Sequence, residues 1–168
     1  MITEVAGDIL LTEAQVIAHG VAPMDHFDSG LALSLRKDYP SMYRDFRHYC
    51  KQYNPKPGTA WFWGGVGGVR IVNLLTQEPA KGHNSHPGKA TTVNVNHALR
   101  ELSKMAVEKG FTSIALPKLA TGVGSLDWEA VKPLIYSQLE DLNIPIFIYS
   151  TYRKGVKAGE LSGVSNKV

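Results

Sequence analysis

Short apolar runs of strand length alternate with segments of helical period along most of this chain, an order that calls for a sheet with helices packed on it. Gln15-Val16-Ile17-Ala18-His19-Gly20-Val21 has the character of a buried strand. Residues 30–36 then read as a helix, with Asp28-Ser29 offered as its N-cap. Pro40-Ser41 opens a second helix carrying Met42, Phe46 and Tyr49 on one face, broken by Tyr53-Asn54-Pro55-Lys56-Pro57-Gly58. Residues 59–63 and 69–75 are β-rich, and the glycines between them suit a hairpin turn. Helical period returns at Thr92, with Val95, Ala98, Leu99, Leu102, Met105 and Ala106 on one face. A strand is predicted over 113–117. A helix marked by Val131, Leu134, Ile135, Leu139 and Leu142 follows, interrupted by Pro133, and a last strand is predicted over 145–150. The expected class is α/β, with a mixed, mostly parallel central sheet covered on both faces.

A chain of 168 residues fits one domain, and 43% hydrophobic residues suffice for its core. No apolar run approaches the roughly 18 residues of a membrane span, and the N-terminus lacks the pattern of a secretory signal. The single cysteine, Cys50, rules out an internal disulfide, so a reduced, cytoplasmic setting is expected. The net charge of +3 is mild, and lysine and arginine are scattered, which makes nucleic acid an unlikely partner on composition. Beyond Gly155 the residues lose all period; the domain is expected over 1–153 and a disordered tail over 154–168.

Ligands of such sheets bind at the carboxyl ends of strands, which directs attention to loops 20–29, 76–91, 119–126 and 149–152. Thr121-Gly122-Val123-Gly124-Ser125 lies between a strand and a helix. It is either a tight connection or a phosphate cradle, since glycines let the backbone close on an anion at a helix N-terminus. His83 and His86 are spaced as zinc ligands, but no third ligand accompanies them, so no metal is expected.

Together these pieces resemble a macro domain, the ADP-ribose-binding α/β/α module. Gly7-Asp8-Ile9 resembles the early G-[DN]-[IL] motif, Ala18-His19-Gly20-Val21 the buried strand, and Ser29-Gly30-Leu31-Ala32 the glycine-rich helix start. Thr121-Gly122-Val123-Gly124 resembles the second phosphate loop, and Phe147-Ile148-Tyr149-Ser150 the terminal strand. His19, Gly30-Leu31-Ala32, His86 and Trp128 are similar to the branch holding the terminal ADP-ribose protein glycohydrolase and the yeast-type ADP-ribose 1″-phosphate phosphatase.

The resemblance implies ADP-ribose, or an ADP-ribosylated molecule, as ligand and no other cofactor. Asp8, with Ile9 beside it, would take the adenine amino group, and Tyr149 would stack on the base, Tyr152 being a second candidate. Ser29, Gly30, Leu31 and Ala32 would offer backbone N–H groups to the diphosphate from one side, and residues 121–125 from the other. Asp8 reads equally as a turn cap, Tyr149 as a packed strand residue and Asp28 as a helix cap.

The family's catalytic positions are altered. The hydrolase asparagine is Ala22, the glycohydrolase lysine aligns with Gln77 and its aspartate with Gly124. The remaining acid–base groups are Asp28, placed to activate a water, and His19, read as general acid, as a group that orients a water, or as a satisfied core histidine; Asp25, His26 and His86 border the distal end. Two functions are therefore expected: a hydrolase of an ADP-ribosyl bond or of ADP-ribose 1″-phosphate, or an ADP-ribose reader without chemistry; a third, recognition of an ADP-ribosylated nucleic acid, calls for a basic groove that the sequence does not show.

Overall fold

The computed structural model describes residues 1–82 and 87–160. Six strands, β1 (Ile2–Gly7), β2 (Val16–Val21), β3 (Ala60–Gly64), β4 (Arg70–Leu75), β5 (Ile114–Pro117) and β6 (Ile146–Tyr152), form one sheet in the order β1-β6-β5-β2-β4-β3. Every pairing is parallel except β3 with β4, the hairpin, whose connection places Gly67 and Gly68 at φ 81° and 85°. The mixed, mostly parallel sheet expected from the sequence is what the chain builds.

Helices α1 (Gly30–Asp38), α2 (Pro40–Tyr53), α3 (Thr92–Lys109) and α4 (Trp128–Leu139) cover it. Strand residues alternate between two cores. Val16, Ala18, Val72, Leu74, Ile114 and Leu116 face α3 and α4, where Leu99, Leu102, Val131 and Ile135 are fully buried. Ile17, Val21, Ile71, Leu75 and Ala115 face α1 and α2, where Leu35, Met42 and Phe46 close the opposite layer. Thr91 caps α3 by accepting from the Asn94 N–H at 3.1 Å, and Gly110 ends it at φ 66°. That cap is worth ~1 kcal/mol.

The chain beyond β6 departs from expectation. Residues 154–160 are largely exposed but tied to the domain: Val156 O accepts from Asp8 N–H at 2.7 Å, and a side chain on Gly7 would stand 2.9 Å from Ala158. Glu160 is 6% exposed, its carboxylate accepting from the Thr12 and Tyr149 hydroxyls and the Glu13 N–H. The sequence hid this strap because its partners at Asp8, Thr12 and Glu13 lie nearly 150 positions upstream. Residues 161–168 are outside the described part of the chain. Among the described residues, no helix is long and apolar enough to cross a membrane.

Candidate functional site

Two cavities open along the carboxyl ends of the parallel strands. The first, about 400 Å³, lies between loop 22–29 with the start of α1 and loop 118–124. The second, about 660 Å³, lies between the ends of β1 and β6. Gly30, Leu31, Pro117 and Lys118 line both, so the two are compartments of one groove. Sequence reading had not singled out Pro117 or Lys118; their place at the end of a central strand was the available signal.

The start of α1 turns unbonded backbone amides toward the first cavity. Gly30 holds φ 58° with open space where a side chain would be, and Ser29 occupies the cap position without a side-chain hydrogen bond. The first helical bond runs from Leu33 N–H to Ser29 O, so the amides of residues 30–32 precede it without intrahelical acceptors. Gly30, Leu31 and Ala32 line the first cavity with Asp28 and Ser29.

The facing loop is held by Leu126 N–H to Ala120 O at 2.9 Å and Ser125 N–H to Gly122 O at 3.0 Å, with Ala120 and Ser125 left-handed at φ 61° and 66°. Gly122, Val123 and Gly124 reach the cavity wall, whereas Thr121 and Ser125 do not. Gly124 is obligatory: a Cβ there would stand 2.7 Å from the Ala120 carbonyl oxygen, so this backbone excludes an aspartate at that position.

Loop 22–29 is braced from within. Asp25 accepts from Ala22 N–H at 2.9 Å and Phe27 N–H at 2.8 Å, and burial pushes its carboxyl above the usual range. Phe27, at φ 53°, is fully buried and stands edge-on to His19 with centroids 5.6 Å apart. Arg36 donates to His26 O at 2.8 Å, and Arg47 to Met24 O. Both carboxylate oxygens of Asp25 are thus engaged in shaping the loop, and His26 lies off the cavity wall. Asp28 lines the wall, exposed, with no hydrogen-bond partner among the described residues.

His19 is 2% exposed, with Nε2 2.6 Å from Asn73 Oδ1. The Asn73 amide nitrogen faces Met42 Sδ, so its oxygen is the acceptor and His19 Nε2 carries the proton. Burial lowers the His19 pKa to about 4, outweighing the opposing hydrogen bond to Asn73. The ring is neutral at pH 7 and offers an acceptor at Nδ1 rather than a proton for an acid. Gln77 lines the same cavity, its amide donating to Gly88 O at 3.1 Å and anchoring the bridge to Ala90. His83 and His86 lie outside the described residues. Among those described, no three histidines, cysteines or carboxylates converge as a metal site.

In the second compartment Asp8 caps the 3-10 turn Ile9–Leu11, accepting from Leu10 N–H at 3.1 Å through one oxygen and from Gly155 N–H at 3.0 Å through the other. Ile9 lines it beside Asp8. Tyr149 lies opposite Pro117 in register and is 6% exposed. Burial pushes its phenol well above the usual range, with Glu160 adding to the effect. Tyr152 lines the compartment as an exposed ring.

Residues 18–135 match the family model described as Macro domain. The chain is 29% identical over 153 residues to the DNA ADP-ribosyl glycohydrolase of Mycobacterium tuberculosis, covering 88% of this chain and 42% of that protein. It is 25% identical over 172 residues to a DNA ADP-ribosyl transferase-DNA ADP-ribosyl glycohydrolase fusion protein of Thermosipho africanus, covering 94% and 44%. The chain therefore spans less than half the length of these curated relatives. The macrodomain of Thermus aquaticus DarG superposes with a TM-score of 0.78 at 25% identity, over 89% of this chain and 98% of that one. Thermosipho africanus DarTG in complex with ADP-ribose gives 0.78 at 19% identity, a likeness of fold. These names correct one expectation. Scattered charge made nucleic acid an unlikely partner, yet the relatives are named for ADP-ribosyl groups on DNA rather than for the protein glycohydrolase or phosphatase branch.

Proposed function

Because the chain belongs to the macro domain family, we propose that it binds ADP-ribose along the two-compartment groove and hydrolyses an ADP-ribosyl bond on nucleic acid. The observation that carries the reading is the continuity of the groove through Gly30, Leu31, Pro117 and Lys118, which supplies one elongated site for a base, a diphosphate and a distal ribose. Adenine fits the Asp8–Tyr149 compartment, with Ile9 and Tyr152 at its border. The diphosphate lies against the amides at the start of α1 and those of residues 122–124, two donor sets that favour an anion without a cation. The distal ribose then reaches Asp28.

Asp28 is the group available to take a proton from an attacking water, since Asp25 is committed to its loop and His19 to Asn73. The neutral Nδ1 of His19 is suited to orienting that water or a ribose hydroxyl. A second reading, an ADP-ribose reader without chemistry, is favoured by the consumption of Asp25 and His19 in structural bonds and by Gln77 in place of a lysine.

Titration with ADP-ribose, followed by incubation with an ADP-ribosylated single-stranded oligonucleotide, tests both. Binding with release of ADP-ribose that falls about 100-fold in Asp28→Asn supports the hydrolase. Binding without release supports the reader, and no binding removes both.

A further inference from the structure

The sheet order ranks the residues along the groove. The second compartment lies at the ends of β1 and β6, Lys118 follows β5, His19 and Gly20 stand near the end of β2, and Gln77 follows β4. Gln77 is therefore two strand spacings, roughly 10 Å, beyond the strand that leads to Lys118. Its backbone is fixed from both sides. Its N–H donates to Val21 O at 3.3 Å, and it bridges to Ala90, whose N–H donates to Gly124 O at 3.0 Å. The side chain is 6% exposed, and Nε2 donates to Gly88 O at 3.1 Å. A carbonyl accepts and cannot donate, so the amide is oriented with Oε1 as its free end. That oxygen has no donor among the described residues, yet it is not sealed from the cavity that Gln77 lines. The ionisable groups nearby add acceptors and negative charge: His19 keeps Nδ1 free, both Asp25 oxygens are taken by amides, and Asp28 is an exposed carboxylate. Lys118 is the one cation among the described residues of this wall, and its ammonium stands over the Trp128 ring, 5.8 Å from the centroid and outside both compartments.

We propose that Gln77 sets specificity at the far end of the groove, its Oε1 accepting a hydrogen bond from a hydroxyl of the terminal sugar and, with Asp28, excluding a phosphate monoester there. The inference rests on the functional reading above and names the class of sugar end admitted: uncharged and hydrogen-bond donating. A hydroxyl brings a proton to the open acceptor. A phosphate monoester brings a charge of about −1.5 to −2 and a set of acceptor oxygens. Against Gln77 Oε1 and the Asp28 carboxylate it would lose water without gaining a donor, and repulsion adds to that cost. The inner diphosphate escapes the conflict, because on the same reading it lies against the amides at the start of α1 and of residues 122–124. The selection applies equally to a hydrolase and to a reader, since it acts on binding.

Calorimetric titration with ADP, ADP-ribose and ADP-ribose 1″-phosphate tests the assignment on the unaltered protein, Gln77→Met and Gln77→Lys. ADP lacks the terminal sugar, so its affinity should be the same in all three, showing that fold and groove are intact. The unaltered protein should bind ADP-ribose about tenfold or more tightly than its 1″-phosphate. Gln77→Met keeps the volume without the acceptor and should weaken ADP-ribose about tenfold. Gln77→Lys puts a cation in place of the acceptor and should bring the 1″-phosphate level with ADP-ribose or ahead of it. Where the buried lysine disrupts the fold, seen as lost ADP binding, Gln77→Met decides alone. A 1″-phosphate that binds the unaltered protein as tightly as ADP-ribose, or unchanged ADP-ribose affinity in Gln77→Met, overturns the assignment while the groove stands. Failure of the unaltered protein to bind ADP-ribose removes the functional reading, and this inference with it.

Discussion

The imidazole of His19 meets almost no water and one hydrogen-bonding side chain, Asn73, and its affinity for a proton falls accordingly. Its pKa is about 4 in the folded chain against 6.5 when unfolded, so between those values the unfolded state binds more protons and stability drops as pH falls. The loss is roughly 3 kcal/mol once pH is below both values. Asp25 acts in the opposite sense, because a carboxyl raised by burial favours the folded state as it protonates. The difference between the unaltered protein and His19→Gln therefore isolates the histidine. Denaturant unfolding from pH 7 to 4 should show the native chain losing roughly 3 kcal/mol relative to the variant. Parallel curves would mean that His19 is not the buried neutral base described here.

At the scale of strands, helices and loops, the strap over residues 154–160 does more than cover an edge. It delivers Gly155 N–H to Asp8 and Glu160 to the hydroxyl of Tyr149, so the two side chains assigned to adenine are both held from behind. Glu160→Ala leaves the Tyr149 and Thr12 hydroxyls without their acceptor, which should destabilise the fold by about 2–4 kcal/mol in urea unfolding. It should also weaken adenosine binding; unchanged affinity for adenosine would confine the strap to stability.

The strap marks a limit of sequence reading. Strands β2 to β6 and all four helices announced themselves through local period, caps and glycine turns. The glycine-rich start of α1 and loop 118–124 were readable for the same reason, since backbone geometry there depends on adjacent residues. The engagement of Asp25, the Asn73 partner of His19, the Phe27 anchor and the Glu160 latch were not. Each depends on a partner's orientation or on a contact between distant positions.

Over the whole molecule, the site is a seam between distant parts of the chain rather than a property of one stretch. The first compartment joins loop 22–29 to loop 118–124, and the second joins β1 to β6. A ligand filling both ties the sheet together across its parallel strands. ADP-ribose at about 100 times its Kd should therefore add about 2.7 kcal/mol, raising the melting temperature by roughly 5–10 °C. A shift near zero would count against occupancy of the groove. The pairing of Ile2 with Ile146, and the contact of Asp8 with Gly155, set a schedule for biosynthesis. Translation at about 5–20 residues per second separates the two edges of the adenine compartment by on the order of ten seconds. A nascent chain can close the β3–β4 hairpin and lay α1 and α2 over it long before then. The second compartment is not complete until its last strand and strap have left the ribosome, so on the function proposed above ADP-ribose is captured only by chains whose synthesis has passed that point.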